Sequence, residues 1–261
     1  MKINVSFMVL ALFFLSMFML TSTCANAEGV KTQLCLVIDG SNSITDQDWT
    51  IITRGIADAI RNDLPHDGSV ELTVVQFGYF PEYARTEVSP TVITDANFRI
   101  MANTVGNLTQ SKGDTPTPHG LLLGWNEIKS SSNFPTAAKQ VINLATDGEA
   151  NIRNNKATTD LDGDGFVNEF DDMIAVVNNA KIEGLDELDI EGIAITDTQR
   201  DWYKNWTLVP QPGIIAPPFS KPGWIRIVAN AMEFANTLDQ KLQAIITEEK
   251  VFWTPTVEEA L

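Results

Sequence analysis

Residues 34–38 constrain this chain more than any others: they form an unbroken apolar run, Leu34-Cys35-Leu36-Val37-Ile38, closed by an acidic turn, Asp39-Gly40-Ser41-Asn42-Ser43. A strand that is apolar at every position must be covered on both faces, so it belongs inside a sheet sandwiched by helices. Strand and helix signals alternate along most of the remaining chain, which supplies those layers. The expectation is an α/β fold: a doubly wound, mostly parallel central sheet with one antiparallel edge strand and helices on both faces, Rossmann-like in outline.

In chain order, residues 33–39 are the first strand and 47–61 a helix, with Trp49, Ile52, Ile56 and Ile60 at helical spacing on its buried face. Leu64-Pro65 stops that helix. Residues 70–77 read as a second strand and 79–88 as containing a short third. A modest helix is expected within 90–107, with Phe98, Met101 and Val105 inward. A Gly/Thr/Pro-rich loop at 110–118 precedes a helix over 120–130 that packs through Leu121, Leu122, Trp125 and Ile128. Residues 141–145 form a mostly apolar strand that again ends in an acidic turn, Thr146-Asp147-Gly148. A polar, acidic excursion at 151–168 interrupts the alternation. Beyond it come a helix at 169–180, a strand at 188–195, a short helix at 198–206, a Pro/Gly-rich loop at 209–222 and a final strand at 223–228. Asn230 caps the last helix, whose apolar face is Ala235, Leu238, Leu242 and Ile245. Residues 248–261 read as a loose tail carrying the apolar tripeptide Val251-Phe252-Trp253.

The N-terminus is set apart from the fold. Lys2, the apolar stretch 8–20 and Ala25-Asn26-Ala27 make the pattern of a secretory signal peptide over residues 1–27, with an uncleaved anchor as the alternative. A domain spanning 28–247 follows. Cleavage leaves Cys35 as the only cysteine, inside the buried strand, where it reads as a core thiol and forms no intrachain disulfide. The formal net charge of −16 sets the surface against nucleic acid and anionic membranes while favouring divalent cations. The expected location is secreted, periplasmic or cell-surface, with no stable membrane span after signal cleavage.

Asp39, Ser41 and Ser43 bring a carboxylate and two hydroxyls to the loop beyond a strand's carboxyl end, where ligands of open α/β sheets sit. Oxygen ligands of this kind suit Mg²⁺ or Ca²⁺, while Asp-Gly-Ser is also ordinary turn chemistry. This Asp-x-Ser-x-Ser element resembles the metal-ion-dependent adhesion site of von Willebrand factor type A domains, and the element order resembles that fold from about Gln33 to Leu242. The resemblance assigns the distant threonine of the site to Thr115, with Thr117 a weaker candidate, and the distal aspartate to Asp147. It implies that Ser41, Ser43 and Thr115 ligate directly, while Asp39 and Asp147 hold the metal through waters or one of them binds it directly. It further implies an open coordination position on Mg²⁺ (or Mn²⁺ or Ca²⁺) that takes a carboxylate from a partner protein. His119, just after the threonine loop, is expected at the rim; His66 lies in a polar turn.

The excursion carries a second pattern, Asp160-Leu161-Asp162-Gly163-Asp164-Gly165-Phe166-Val167-Asn168-Glu169-Phe170-Asp171. Carboxylates at alternate positions, a glycine at the sharp turn and a backbone carbonyl from Phe166 match an EF-hand calcium loop. Asp171 stands where that loop usually has glutamate, as in dockerin loops, with Asp172 and Glu169 as neighbouring alternatives. The expected ligands are Asp160, Asp162, Asp164, Phe166 and Asp171, holding a structural Ca²⁺ within an insert at about 149–172.

These readings describe an exported protein-binding module, not an enzyme, whose ligand is a protein presenting Asp or Glu. A structural surface component with purely stabilising metals is the second reading. A metal-dependent hydrolase is the third, weakened because no histidine or glutamate stands where a general base is needed. Asn107-Leu108-Thr109 and Asn205-Trp206-Thr207 match the glycosylation acceptor pattern, and Trp202, Tyr203 and Trp206 form an aromatic cluster suited to packing or to a rim.

Overall fold

The computed structural model describes residues 29–78, 83–135, 139–148, 150, 160–166 and 168–247. The signal segment, the start of the expected third strand at 79–82, Val167 and the tail at 248–261 lie outside the described residues.

The sheet runs β3-β2-β1-β4-β5-β7-β6. Its strands are β1 (Thr32–Asp39), β2 (Asp67–Phe77), β3 (Ala84–Thr94), β4 (Lys139–Thr146), β5 (Glu187–Ile193), β6 (Ile214–Ile215) and β7 (Trp224–Val228). Among the described strand pairs, β2–β3 alone is antiparallel and the others are parallel; Leu188 of β5 also makes an antiparallel bridge to Val209. The apolar run of β1 lies between β2 and β4 and is buried throughout, as a strand without a polar face requires.

Helices cover both faces. On one, α1 (Asp46–Asn62), α2 (Phe98–Gly106) and α6 (Ala231–Thr247) bury Ile52, Ile56, Met101, Phe234 and Leu242 against Leu34, Leu36 and Ile38. On the other, α3 (Thr117–Ser130), α4 (Glu169–Glu183) and α5 (Asp197–Trp206) bury Trp125, Val177 and Tyr203 against the side that includes Cys35 and Val37. Cys35 is fully buried, and burial pushes its thiol far above the usual range, so it is an inert core group. Thr45 caps α1, its side chain accepting from the Asp48 amide at 3.1 Å, and Asn230 accepts from the Glu233 amide at 2.9 Å at the start of α6.

Two elements depart from the sequence expectation. The third strand extends through residues assigned to a helix, and α2 begins only at Phe98. β3 is an edge strand, and its register against β2 shifts between Leu72/Thr91 and Val74/Val88, next to Pro90. A proline, which cannot donate to a ladder, is accommodated at such a bulged edge. The Pro/Gly-rich loop likewise contains the two-residue strand β6 at the opposite edge.

From β1 the chain passes to β2 on one side, whereas β4 pairs on the other. The carboxyl ends of β1 and β4 therefore flank the point where strand order reverses, the crevice in which open α/β sheets place ligands.

Candidate metal centre

At that crevice β1 delivers Asp39 and β4 delivers Thr146 and Asp147. Asp39 is buried; its Oδ1 accepts the Ser41 amide at 2.9 Å and its Oδ2 accepts the Thr146 hydroxyl at 2.7 Å. The Ser41 and Ser43 hydroxyl oxygens lie 2.8 Å apart, and the Ser43 hydroxyl donates to Asp147 Oδ1 at 2.7 Å. Asp39, Ser41, Ser43, Thr146 and Asp147 thus form one hydrogen-bonded group of oxygens, buried at Asp39 and open to solvent at Ser43.

The threonine loop is pinned beside them. Asn42 N–H donates to the Gly113 carbonyl at 3.0 Å, and Lys112 N–H to the Gly40 carbonyl at 2.7 Å. The Gln110 amide donates to the carbonyls of Ser41 and Ile44 at 2.9 and 2.8 Å, fixing the serine turn from the same loop. Thr115 is buried next to the start of α3, and its carbonyl accepts the Thr117 amide at 2.9 Å. Its hydroxyl makes none of the bonds within the oxygen group. Thr117 is fully buried, with its hydroxyl 3.5 Å from the Thr115 carbonyl, facing the loop's own backbone.

The electrostatics of this group favour a cation. Burial and the neighbouring Asp147 carboxylate push Asp39 up to about 6. Burial, with Asp48 adding to it, raises Asp147 despite the bond from Ser43. Two carboxylates among neutral hydroxyls, with no cationic side chain among the described residues bonded to either, suit a hard divalent ion, which would let both ionise. The donor set therefore fits Mg²⁺ or a similar cation.

Neither histidine bonds to these oxygens. His66 Nε2 lies 2.8 Å from the Ile60 carbonyl, and its ring stacks on Phe98. His119 packs 4.7 Å from the Tyr83 ring; burial lowers its pKa against the pull of the Asp172 charge. His119 thus sits between the threonine loop and the acidic loop.

In that acidic loop, Asp160 accepts the amides of Gly163 and Gly165 at 2.6 and 2.7 Å, the Gly165 bond holding its carboxyl below the usual range. Gly165 has φ +91°, a left-handed turn that a side chain would strain. Asp162 and Asp164 each accept the amide two residues on. Carboxylate oxygens of Asp160, Asp162 and Asp172 lie within 4.8 Å of one another. Asp172, not Asp171, is the helix residue gathered there: it is buried and accepts the amides of Leu161 and Asp162 at 2.7 and 3.1 Å. Asn168 caps α4 and draws the Asp171 carboxylate to its own side-chain amide at 2.7 Å, which turns Asp171 to solvent. Phe166 is exposed.

Two features escaped sequence reasoning, and a third, Asp172, stands there only as an alternative. Thr146 looks like an ordinary strand residue, yet its hydroxyl seats Asp39. Asp172 lies one residue beyond the twelve-residue spacing. Tyr203, on α5, donates its hydroxyl to the Gly148 carbonyl at 2.8 Å and so braces the distal aspartate loop.

No curated protein matches the sequence. Solved structures with a similar fold include the pilus adhesin SpaC from Lactobacillus rhamnosus GG in its open conformation (TM-score 0.62, 15% identity, 84% of this chain and 30% of that one). Proximal thread matrix protein 1 from the mussel byssus is also similar (TM-score 0.57, 13% identity, 84% of this chain and 49% of that one). So is a form of that byssus protein with a zinc-occupied MIDAS motif (TM-score 0.56, 12% identity, 84% of this chain and 48% of that one). The chain thus spans less than half the length of each of these proteins, and at such identities the likeness speaks to the fold. The family model for the von Willebrand factor type A domain matches residues 33–183, more than half of the sequence, and the chain belongs to that family.

Proposed function

We propose that this chain is an exported, metal-dependent protein-binding module in which a divalent cation, Mg²⁺ or alternatively Mn²⁺ or Ca²⁺, accepts a carboxylate from a partner protein. The observation that carries this reading is the convergence of Asp39, Ser41, Ser43 and Asp147 at the carboxyl ends of β1 and β4, open to solvent at Ser43. These residues, with Thr115 from the adjoining loop, would hold the ion. When bound, the ion supplies an electrophilic position for an anionic oxygen. The protein's own part is to orient the serine and threonine hydroxyls and to keep Asp39 dry beneath them. Neither histidine bonds to this group, His66 lying on the Ile60 carbonyl and His119 against the Tyr83 ring, which supports binding over hydrolysis.

Export is supported by the signal pattern over residues 1–27 and by the likeness of the fold to a pilus adhesin and a byssus matrix protein. The domain reading is a von Willebrand factor type A unit over 28–247 with an insert at about 149–172. In that insert Asp160, Asp162, Asp164 and the Phe166 carbonyl would hold a structural Ca²⁺. Asp172 is better placed than Asp171 to complete the set.

A pull-down from the native envelope or medium, with and without chelator, tests the function. Wild type is expected to retain a partner only with divalent metal, and Asp39→Ala to retain none. Binding indifferent to both metal and mutation would instead favour a structural component with stabilising metals. Turnover lost with the Asp39 side chain would favour an enzyme.

A further inference from the structure

Between them α4 and α5 border a half-open cavity of about 300 Å³ lined by Phe170, Thr198, Gln199, Trp202 and Tyr203. Its walls are aromatic: Phe170 meets Trp202 edge-on at 4.9 Å, and Trp202 meets Tyr203 at 5.3 Å. Phe170 and Trp202 are half-buried, so their faces are reachable from solvent, while Tyr203 forms the floor.

Two of the polar groups there are already committed. The Tyr203 hydroxyl donates to Gly148, and the Gln199 side-chain oxygen accepts from the Thr196 amide and hydroxyl in the capping box of α5. A sugar needs several free polar groups converging on its hydroxyls. An apolar side chain needs aromatic walls and little else.

One residue links the cavity to the metal centre. Tyr203 spans from the cavity floor to the carbonyl of Gly148, the residue after Asp147, whose carboxylate accepts from Ser43. An extended polypeptide advances about 3.3 Å per residue. A partner strand with its carboxylate at the metal would therefore bring a residue only a few positions away over this cavity.

We infer that the Phe170–Trp202–Tyr203 cavity is a second subsite of the same binding face, receiving an apolar side chain, aromatic or long aliphatic, from the polypeptide whose carboxylate binds the metal. This rests on the proposed role of the metal centre. The metal supplies a point attraction common to any exposed carboxylate, and the cavity selects among carboxylates by what lies next to them.

The test uses the mature chain and an array of synthetic peptides with one fixed aspartate, the flanking positions varied among Phe, Leu, Ser and Lys, in buffer containing Mg²⁺ and Ca²⁺. Wild type is expected to bind peptides with Phe or Leu at one fixed offset at least tenfold more strongly than those with Ser or Lys there. Thr198→Trp fills the cavity from its exposed rim, and Trp202→Ala removes a wall. Both are expected to erase the offset preference while leaving calorimetric Mg²⁺ uptake unchanged. Asp39→Ala is expected to abolish binding of every peptide. A preference that survives both cavity variants, or wild-type binding with no offset preference, would overturn the subsite while sparing the metal reading. A preference that persists in chelator would overturn the shared footprint. Competition at the cavity by free hexose or N-acetylhexosamine, lost in Trp202→Ala, would replace the apolar side chain with a sugar. Failure of every peptide to bind a protein shown by calorimetry to take up Mg²⁺ would overturn both the subsite and the carboxylate-accepting role of the metal.

Discussion

Gly40 lacks a side chain because none fits: a Cβ there would lie 2.3 Å from Gln76 Oε1 and 2.6 Å from Ser111 Oγ. Those contacts hold the serine turn against the threonine loop, since Gln76 Oε1 accepts the Ser111 amide and the Gly40 carbonyl accepts from Lys112. Gly40→Ala is expected to push the two loops apart, destabilising the protein by about 1–3 kcal/mol, the usual range for overpacking. Urea unfolding measures the stability, and Mg²⁺ titration should show weaker uptake because Ser41 and Ser43 move with the turn. Unchanged uptake in a destabilised variant would mean that the turn relaxes without disturbing the oxygens. At this scale the sequence was informative where a residue type is unusual for its place. An acid at the end of an apolar strand stands out, so Asp39 and Asp147 were legible with the serines between them. Thr146 was not, because threonine is a good strand former and nothing in its neighbourhood marks its hydroxyl as the seat of Asp39. The choice of Asp172 over Asp171 was not legible, because it is set by Asn168: a capping side chain that bonds Asp171 turns one helix residue out and leaves the next facing the loop.

Among the elements, β5 is the least legible. Its sequence, Glu187-Leu188-Asp189-Ile190-Glu191, alternates acidic and apolar residues as a half-exposed strand does, yet all three acids are fully buried on the side covered by α6. Charge compensation comes from elsewhere. Lys139 of β4 pairs with Glu187 and donates to the Ile245 carbonyl at 3.1 Å, and Lys241 of α6 pairs with Glu191. Helical spacing put Lys241 on the same stripe as Leu238 and Leu242, but a lysine on its own reads as solvent-facing. Lys241→Met would strand Glu191 in the core and is expected to cost about 3–5 kcal/mol, whereas Lys241→Met with Glu191→Leu should recover most of that loss. Denaturant midpoints of the two variants decide this, and equal losses would show that the pair is not the unit. Asp189 gives the element a pH dependence. Its Oδ1 accepts the amides of Gly223 and Trp224 at 3.1 and 2.9 Å, but burial and the Glu187 carboxylate raise its pKa well above the ordinary value, against the pull of Lys139. An acid held more tightly protonated in the folded chain contributes most below its unfolded value, about 3.9. That contribution is lost as pH rises toward the folded value, because the native state then binds the extra proton. Asp189→Asn keeps the acceptor for both amides and needs no proton. It is expected to raise neutral-pH stability by about 1–3 kcal/mol, with the advantage shrinking toward pH 4. Thermal unfolding across that range measures it, and a gap that widens on acidification would reverse the assignment.

Across the whole molecule, the fold followed from the covering that β1 demands, and the binding crevice followed from the topology, where β2 and β4 leave β1 on opposite sides. What the sequence left open at this scale is how the acidic insert bears on the rest. With a net charge of −16, any salt relieves self-repulsion, so a stabilising effect of Ca²⁺ alone would say little. A specific ion differs in two respects: its effect survives screening by monovalent salt, and single ligands abolish it. The insert is joined to the core through Leu161, packed against the helical layer that includes Met173 and Tyr203, and through Asp172, buried at the start of α4. An ion held there would oppose separation of the loop from α4 and so act on global unfolding. At 100-fold excess over its dissociation constant, binding to the native state alone is worth about 2.7 kcal/mol. For a domain of this size that is about 5–10 °C in Tm. Scanning calorimetry at physiological monovalent salt should show this increment with Ca²⁺ over chelator. The increment should be retained in Asp39→Ala, which leaves the insert intact, and lost in both Asp160→Asn and Asp172→Asn. Retention in Asp172→Asn with loss in Asp171→Asn would restore the twelve-residue spacing read from the sequence. Retention in all of the insert variants would remove the ion from the insert altogether.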